Sequence, residues 1–184
     1  MKKNWTDEAL VEGCLKCDPL AQRALYDKFV QAMYNTVYRY TLDHQDTQDV
    51  MQNAFEKVFK YLDKYDHKKG SLLSWVRKIH VRSSLDHIKK QKVRFTDIED
   101  INILISSYSI SYENMEAEYI MDLINDLSPL YRTIFNLHQI EGYSHEEIAQ
   151  MWSININSSR VYLARVKQTL REKIIIFQSQ LKLV

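Results

Sequence analysis

The stretch Gly142–Leu170, GYSHEEIAQMWSININSSRVYLARVKQTL, decides how the chain is read. Ser144 followed by Glu147 is a capping box, in which the hydroxyl accepts from an orphan amide and the glutamate reaches back to the cap. Ile148 and Ala149 then point inward, and Ala149 is small enough for close helix approach. Trp152-Ser153-Ile154-Asn155 makes a short turn. A second helix follows, with Leu163, Val166 and Leu170 on one face at helical spacing. Its other face offers Asn157, Ser158, Arg160 and Arg165. A short helix propping a second one that presents amide, hydroxyl and guanidinium groups suits a DNA major groove. The alternative at this point is an ordinary helical hairpin with a solvated polar face.

The rest of the chain is consistent with an all-α protein. Among 184 residues there are only 3 Gly and 2 Pro, so strong breakers are few. Hydrophobic residues make up 45%, enough for one or two small cores. No apolar run approaches the roughly 18 residues that span a bilayer. MKKNWTDEALVEG lacks the apolar stretch of a signal peptide, so a cytoplasmic location is expected. Net charge is +1, but its distribution is uneven. Residues 77–94 hold Arg77, Lys78, Arg82, Lys89, Lys90, Lys92 and Arg94 against Asp86 alone. Residues 95–122 hold Asp97, Glu99, Asp100, Glu113, Glu116, Glu118 and Asp122 with no Lys or Arg.

Caps place the helices. Thr6 opens one to about Lys16, and Asp18-Pro19 a second to about Tyr40, with Leu25, Phe29, Met33 and Val37 in register. Asp46 is read as the cap of a third, to about Leu62. Ser71 caps a fourth, from Leu72 to about Gln91. Residues 93–111 lack a helical period and read as an acidic linker. A fifth helix begins near Tyr112, and Ser128-Pro129 opens a sixth to about Ile140. The expected organisation is 1–92, linker 93–111 and 112–184: two helical domains joined by a linker, the second a helix-turn-helix.

On the third helix, Asp49, Gln52, Asn53, Glu56 and Lys60 form a polar stripe opposite Val50, Met51, Ala54, Phe55, Val58 and Phe59. A solvated face accounts for the stripe, and so does a docking surface. The fourth helix sets Trp75 beside Arg77, Lys78 and Arg82, after a loop with Tyr65, His67, Lys68 and Lys69. Rings among cations suit single-stranded DNA, whose bases stack and whose phosphates seek charge. Trp75 also shares a face with Leu72, Val76 and Ile79, as a core anchor would. Cys14 and Cys17 form a lone CxxC inside an expected helix, without the further ligands of a zinc site. There is no phosphate loop, nucleophile elbow or HExxH, so no catalytic residue, metal site, cofactor or small-molecule substrate is expected.

Taken together, the chain resembles a bacterial extracytoplasmic-function sigma factor of the small two-domain kind. Asp46, Asp49, Gln52 and Phe55 match D-x-x-D-x-x-Q-x-x-F. Asp66, Gly70, Ser71, Trp75 and Ile79 match F-D-x-x-x-G-S-F-x-x-W-L-x-x-I. LSPLYRTIFNLHQIEGYSHEEIAQMW resembles L-P-x-x-x-R-x-V-F-x-L…G-x-S-x-x-E-I-A. Asn53 departs from a usual glutamate, Arg82 from a usual asparagine, and Asn157-Ser158 from a usual Gly-Thr. Ser159 stands where the family is often apolar.

The resemblance implies partners and roles. Asp49, Gln52, Asn53 and Glu56 would dock on core RNA polymerase. Tyr65, His67, Lys68, Lys69, Trp75, Arg77, Lys78 and Arg82 would engage the minus-ten element of promoter DNA. Asn157, Ser158, Arg160, Val161, Ala164 and Arg165 would read the minus-thirty-five element. An anti-sigma factor, often membrane-anchored in this family, would occlude these surfaces. A self-contained helix-turn-helix regulator, with its N-terminal helices for dimerisation or sensing, is the competing reading.

Overall fold

The computed structural model describes residues 5–92 and 115–181. It divides into two compact units, Met1–Thr96 and Asp97–Val184. Among the described residues there are helices and turns and no strand. The linker 93–111 and the expected helix start at Tyr112 lie outside the described residues.

The N-terminal unit contains α1 (Asp7–Leu15), α2 (Pro19–Thr41), α3 (His44–Lys60) and α4 (Leu72–Lys92). Thr6 and Asp18 cap as expected: Thr6 accepts from Ala9 N–H and Asp18 from Leu20 N–H. The cap of α3 is Asp43 rather than Asp46, and the helix begins three residues earlier than the sequence suggests. The Asp43 carboxylate accepts from Asp46 N–H at 2.8 Å, so Asp46 lies in the first helical turn. There its own carboxylate meets His87 Nε2 of α4 at 3.1 Å. Helix α3 also ends earlier, at Lys60, and a 3₁₀ turn over Leu62–Lys64 buries Leu62. Cys17 is not helical. It sits past the end of α1 with φ +59°, exposed, while Cys14 is buried.

Helix α2 packs against α1, α3 and α4. Leu10, Leu25, Met33, Val37, Val58, Leu72 and Val76 are almost wholly inaccessible and make one core. Gly13 lets α1 approach α2 closely: a Cβ there would stand 2.5 Å from Ala21 Cβ. His80 of α4 lies inside this unit, fully buried and edge-on to Phe55. Its Nδ1–H donates to Val76 O at 2.9 Å, and burial pulls its pKa down to about 4. It is a neutral core imidazole.

The C-terminal unit contains α5 (Met115–Asn125), α6 (Pro129–Phe135), α7 (His145–Trp152) and α8 (Ile156–Leu181). The helix opened by Ser128-Pro129 is α-helical only to Phe135 and continues as a π-helical turn over Asn136–Ile140. Gly142, at φ +77°, ends it. Leu123, Leu127, Tyr131, Val166 and Leu170 form the core that α8 closes. Arg132 is buried within it, and one guanidinium nitrogen donates to Asn125 O and Leu127 O, each at 2.9 Å. Those carbonyls lie at the end of α5 and just beyond it, so Arg132 satisfies groups that would otherwise be buried unpaired. Burial lowers its pKa to about 10, still high enough to keep the charge at neutral pH.

Candidate nucleic-acid and partner interface

Three surfaces collect the residues singled out from the sequence. On α3, Asp49, Gln52, Asn53, Glu56 and Lys60 are all exposed along one stripe, and Val50, Ala54 and Val58 behind them are buried. Gln52 Nε2 donates to Glu56 Oε1 at 3.2 Å, so the stripe is partly ordered in itself. Beside it runs a groove of about 580 Å³ between α2 and α3. Tyr26, Val30 and Tyr34 of α2 line it together with Met51, Phe55 and Phe59, and Gln52 and Glu56 share the lining. The α2 residues were not picked out from the sequence: Tyr26, Val30 and Tyr34 lie one position past the Leu25, Phe29 and Met33 register. The signal was Tyr26: its ring is tilted on Phe55 with centroids 4.7 Å apart while 38% of the residue stays exposed.

The second surface is the α3–α4 connection. Asp66 caps a 3₁₀ turn over His67–Lys69, accepting from Lys68 N–H at 3.0 Å. This exposes His67, Lys68 and Lys69 side by side. Tyr65 Oη donates to Gly70 O, and its ring lies 5.8 Å from that of Trp75. Burial, then the charges of Asp7, Glu8 and Asp66, push the Tyr65 phenol pKa upward, so it keeps its proton. Trp75 is half-buried against the core yet borders the loop, so the anchor and surface readings both describe it. With 3.6 residues per turn, Trp75, Lys78 and Arg82 share one side of α4, and Arg77 falls on the other, half-buried. The basic run thus splits into two faces.

The third surface is the helix-turn-helix. Both halves of the capping box are present: Ser144 Oγ accepts from Glu147 N–H and Glu147 Oε2 from Ser144 N–H. Trp152 is the last residue of α7 and is buried, so the turn is shorter than expected, Ser153–Asn155. Ser153 takes the left-handed conformation at φ +56°, and Ile154 N–H closes on Ala149 O. Asn155 opens α8 by accepting from Asn157 N–H at 2.8 Å. Ile148, Leu163 and Val166 are buried between the helices.

On the outer side, Asn157, Arg160, Val161, Ala164 and Arg165 are exposed and Ser158 is partly so. Ser159 faces inward instead, fully buried, and hydrogen-bonds His145 Nδ1 at 2.9 Å. That bond explains a hydroxyl at an inward position. His145 also lies against His138, with ring centroids 4.5 Å apart. Burial, then the charges of His138 and Arg160, hold its pKa below the ordinary histidine range. Glu146 pairs with Arg160 across the two helices at 3.2 Å. Its carboxyl pKa is lowered, first by a bond from its own backbone N–H, with smaller contributions from Ser144 and Arg160. His145 and Glu146 carried no earlier signal, because a first helical turn is acidic or polar in many proteins. Among the described residues no group of three or more His, Cys, Asp or Glu could hold a metal ion, and no helix is long and apolar enough to cross a membrane.

Comparison with known proteins matches both units. Residues 25–94 match Sigma-70 region 2, and residues 117–170 match Sigma-70, region 4. The chain is 27% identical over 172 residues to the RNA polymerase sigma factor SigV of Bacillus subtilis, covering 93% of this chain and 95% of that one. It is 23% identical over 188 residues to the ECF RNA polymerase sigma-E factor of Haemophilus influenzae, covering 95% and 98%. Its fold is similar to that of the sigma factor RpoE in complex with the anti-sigma factor NepR from Bartonella quintana, with a TM-score of 0.51 at 17% identity, over 82% of this chain and 94% of that one. CnrH in complex with the cytosolic domain of CnrY gives the same score and identity over 92% and 97%. With a region 2 and a region 4 in that order and relatives matched along nearly their whole length, the chain belongs to the extracytoplasmic-function sigma factors, the RNA polymerase subunits that direct promoter recognition and melting at transcription initiation.

Proposed function

We propose that the two units divide the work of initiation. Asp49, Gln52, Asn53 and Glu56, with the adjoining α2–α3 groove, dock on core RNA polymerase. The observation that carries this is the α3 stripe itself: exposed polar side chains on a helix whose opposite side is the unit's core. A helix held this firmly can present the stripe without rearranging, which limits the entropy lost on binding. The loop from Tyr65 to Ser71, with Trp75, Lys78 and Arg82, engages the minus-ten element. There Tyr65 and Trp75 supply stacking surface for an extruded base, offsetting an unstacking cost of a few kcal/mol. Arg82, exposed where relatives commonly have asparagine, contacts phosphate. Arg77, on the other side of α4, lies outside this face.

Asn157, Ser158, Arg160, Val161, Ala164 and Arg165 read the minus-thirty-five element in the major groove. Val161, 46% exposed, suits a thymine methyl group. The segments 1–92 and 112–184 act as separate binding modules, and the acidic stretch 93–111 mimics nucleic acid inside the polymerase until RNA displaces it. The protein acts in the cytoplasm, by binding alone, with no active site. Its regulator is an anti-sigma factor that covers the polymerase-docking and DNA-binding surfaces, as NepR and CnrY pair with the similar structures.

Asp49→Lys tests the docking assignment. Asp49 is exposed, so the variant should fold normally and lose co-purification with core polymerase. Undiminished binding would assign docking to another surface.

A further inference from the structure

Helices α7 and α8 meet at their first turns through two polar links in the same register. His145 and Ser159 make the inner one, at 2.9 Å with Ser159 fully buried. One residue further along each helix, Arg160 Nη2 donates to Glu146 Oε1 at 3.2 Å. This outer pair is open to water, with side-chain exposures of 57% for Arg160 and 55% for Glu146. Exposed ion pairs add little to stability, because water already solvates both charges and two long side chains must be ordered. Next to a helix that lies on DNA, a carboxylate also opposes affinity by repelling phosphates. Glu146 has a local role as an acid in the first turn of α7, where it accepts from its own backbone N–H, but that role does not need Arg160.

What the pair does is restrict Arg160. Arginine reads guanine when its planar fork lies against O6 and N7, and a long flexible side chain has many other orientations. Guanidinium has five N–H donors, so one nitrogen can stay on Glu146 while others face a base. The buried His145–Ser159 bond holds the helix spacing that lets Glu146 reach. We propose that Glu146 is a specificity-determining positioning residue, holding Arg160 in the orientation that reads a guanine of the upstream promoter element, at some cost in overall DNA affinity. The proposal rests on Arg160 being a base contact.

The test uses holoenzyme reconstituted from core polymerase and the full chain. It measures binding to duplexes selected from a randomised upstream element and to their single base-pair variants, at fixed salt. Arg160→Ala should remove about 5- to 150-fold discrimination at one position. Glu146→Ala should cut discrimination at that same position by about tenfold while raising affinity for every duplex. Glu146→Gln lacks the charge and keeps an oxygen acceptor, so it should keep the affinity gain and recover part of the discrimination. The double variant Glu146→Ala with Arg160→Ala should discriminate no worse than Arg160→Ala alone. Full discrimination in Glu146→Ala, alongside its loss in Arg160→Ala, would overturn the inference and leave the base contact standing. Uniform weakening by Arg160→Ala would remove the base contact itself. Uniform weakening by Glu146→Ala would reduce the ion pair to a structural brace.

Discussion

The two units present their surfaces in different ways. In the N-terminal unit, the α3 stripe is backed by a core in which Leu25, Met33, Val37, Val58, Leu72 and Val76 are essentially inaccessible. The stripe is broad, and its side chains need little individual positioning. In the C-terminal unit, the recognition surface lies on one helix, and cross-helix polar links at His145–Ser159 and Glu146–Arg160 brace its first turn. A protein partner is met with area, where many modest contacts sum. A base edge is met with a few donors whose direction decides the outcome. The first kind of surface should fail when the core behind it fails; the second when one orienting contact fails.

The largest expected effect breaks the N-terminal core. Phe55, 4% exposed, touches Tyr26, Phe59 and His80, so Phe55→Ala should cost about 3–5 kcal/mol and abolish polymerase binding along with the fold. Urea unfolding measures the loss, and a cost below that range would mean the α2–α3–α4 junction is looser than its packing indicates.

Acid should have the next largest effect, through His80 of the N-terminal unit. His80 is neutral when folded, with a pKa of about 4 against an ordinary 6.5, so unfolding takes up a proton in that window. Its contribution is complete above pH 6.5 and is lost as pH falls toward 4, roughly 3 kcal/mol in all. Unfolding followed by Trp5 and Trp75 in a Trp152→Phe background should show this slope. His80→Gln should flatten it, whatever the variant's stability at neutral pH. His145 shifts in the same direction, so the helix-turn-helix should also weaken on acidification.

Smaller effects probe the recognition helix. Arg160→Ala should reduce promoter discrimination by about 1–3 kcal/mol in competition binding, with little change in the unfolding midpoint. Ser144→Ala removes one side of the capping box and should cost about 1 kcal/mol in thermal unfolding. Discrimination should survive it, because Glu146 loses only a secondary contact with Ser144 and keeps its bond to Arg160.

Much of this architecture was legible in the chain because its signals are local. Thr6, Asp18, Ser71 and Ser144 each accept the amide bond expected of a cap. The apolar spacing of α2 and α8 predicted which side chains are buried. Asp46 misled because Asp43, three residues earlier, is an equally good cap; Asp46 instead pairs with His87 of α4, a contact that exists only after folding. The π-helical turn at Asn136–Ile140 has no sequence signature. The groove on α2 and the two cross-helix links were hidden for the same reason: each joins residues that are neighbours only after folding.

The central claim is that the helix-turn-helix reads a promoter only when α3 has fastened the chain to polymerase. Footprinting on a promoter that the holoenzyme uses tests it directly. With core polymerase the native chain should protect both elements; alone it should protect neither, because the recognition face carries only Arg160 and Arg165 as cations and so neutralises few phosphates. Asp49→Lys with core polymerase should behave like the free chain. Protection of the upstream element by the free chain, undiminished in Asp49→Lys, would contradict the account and restore a self-contained regulator.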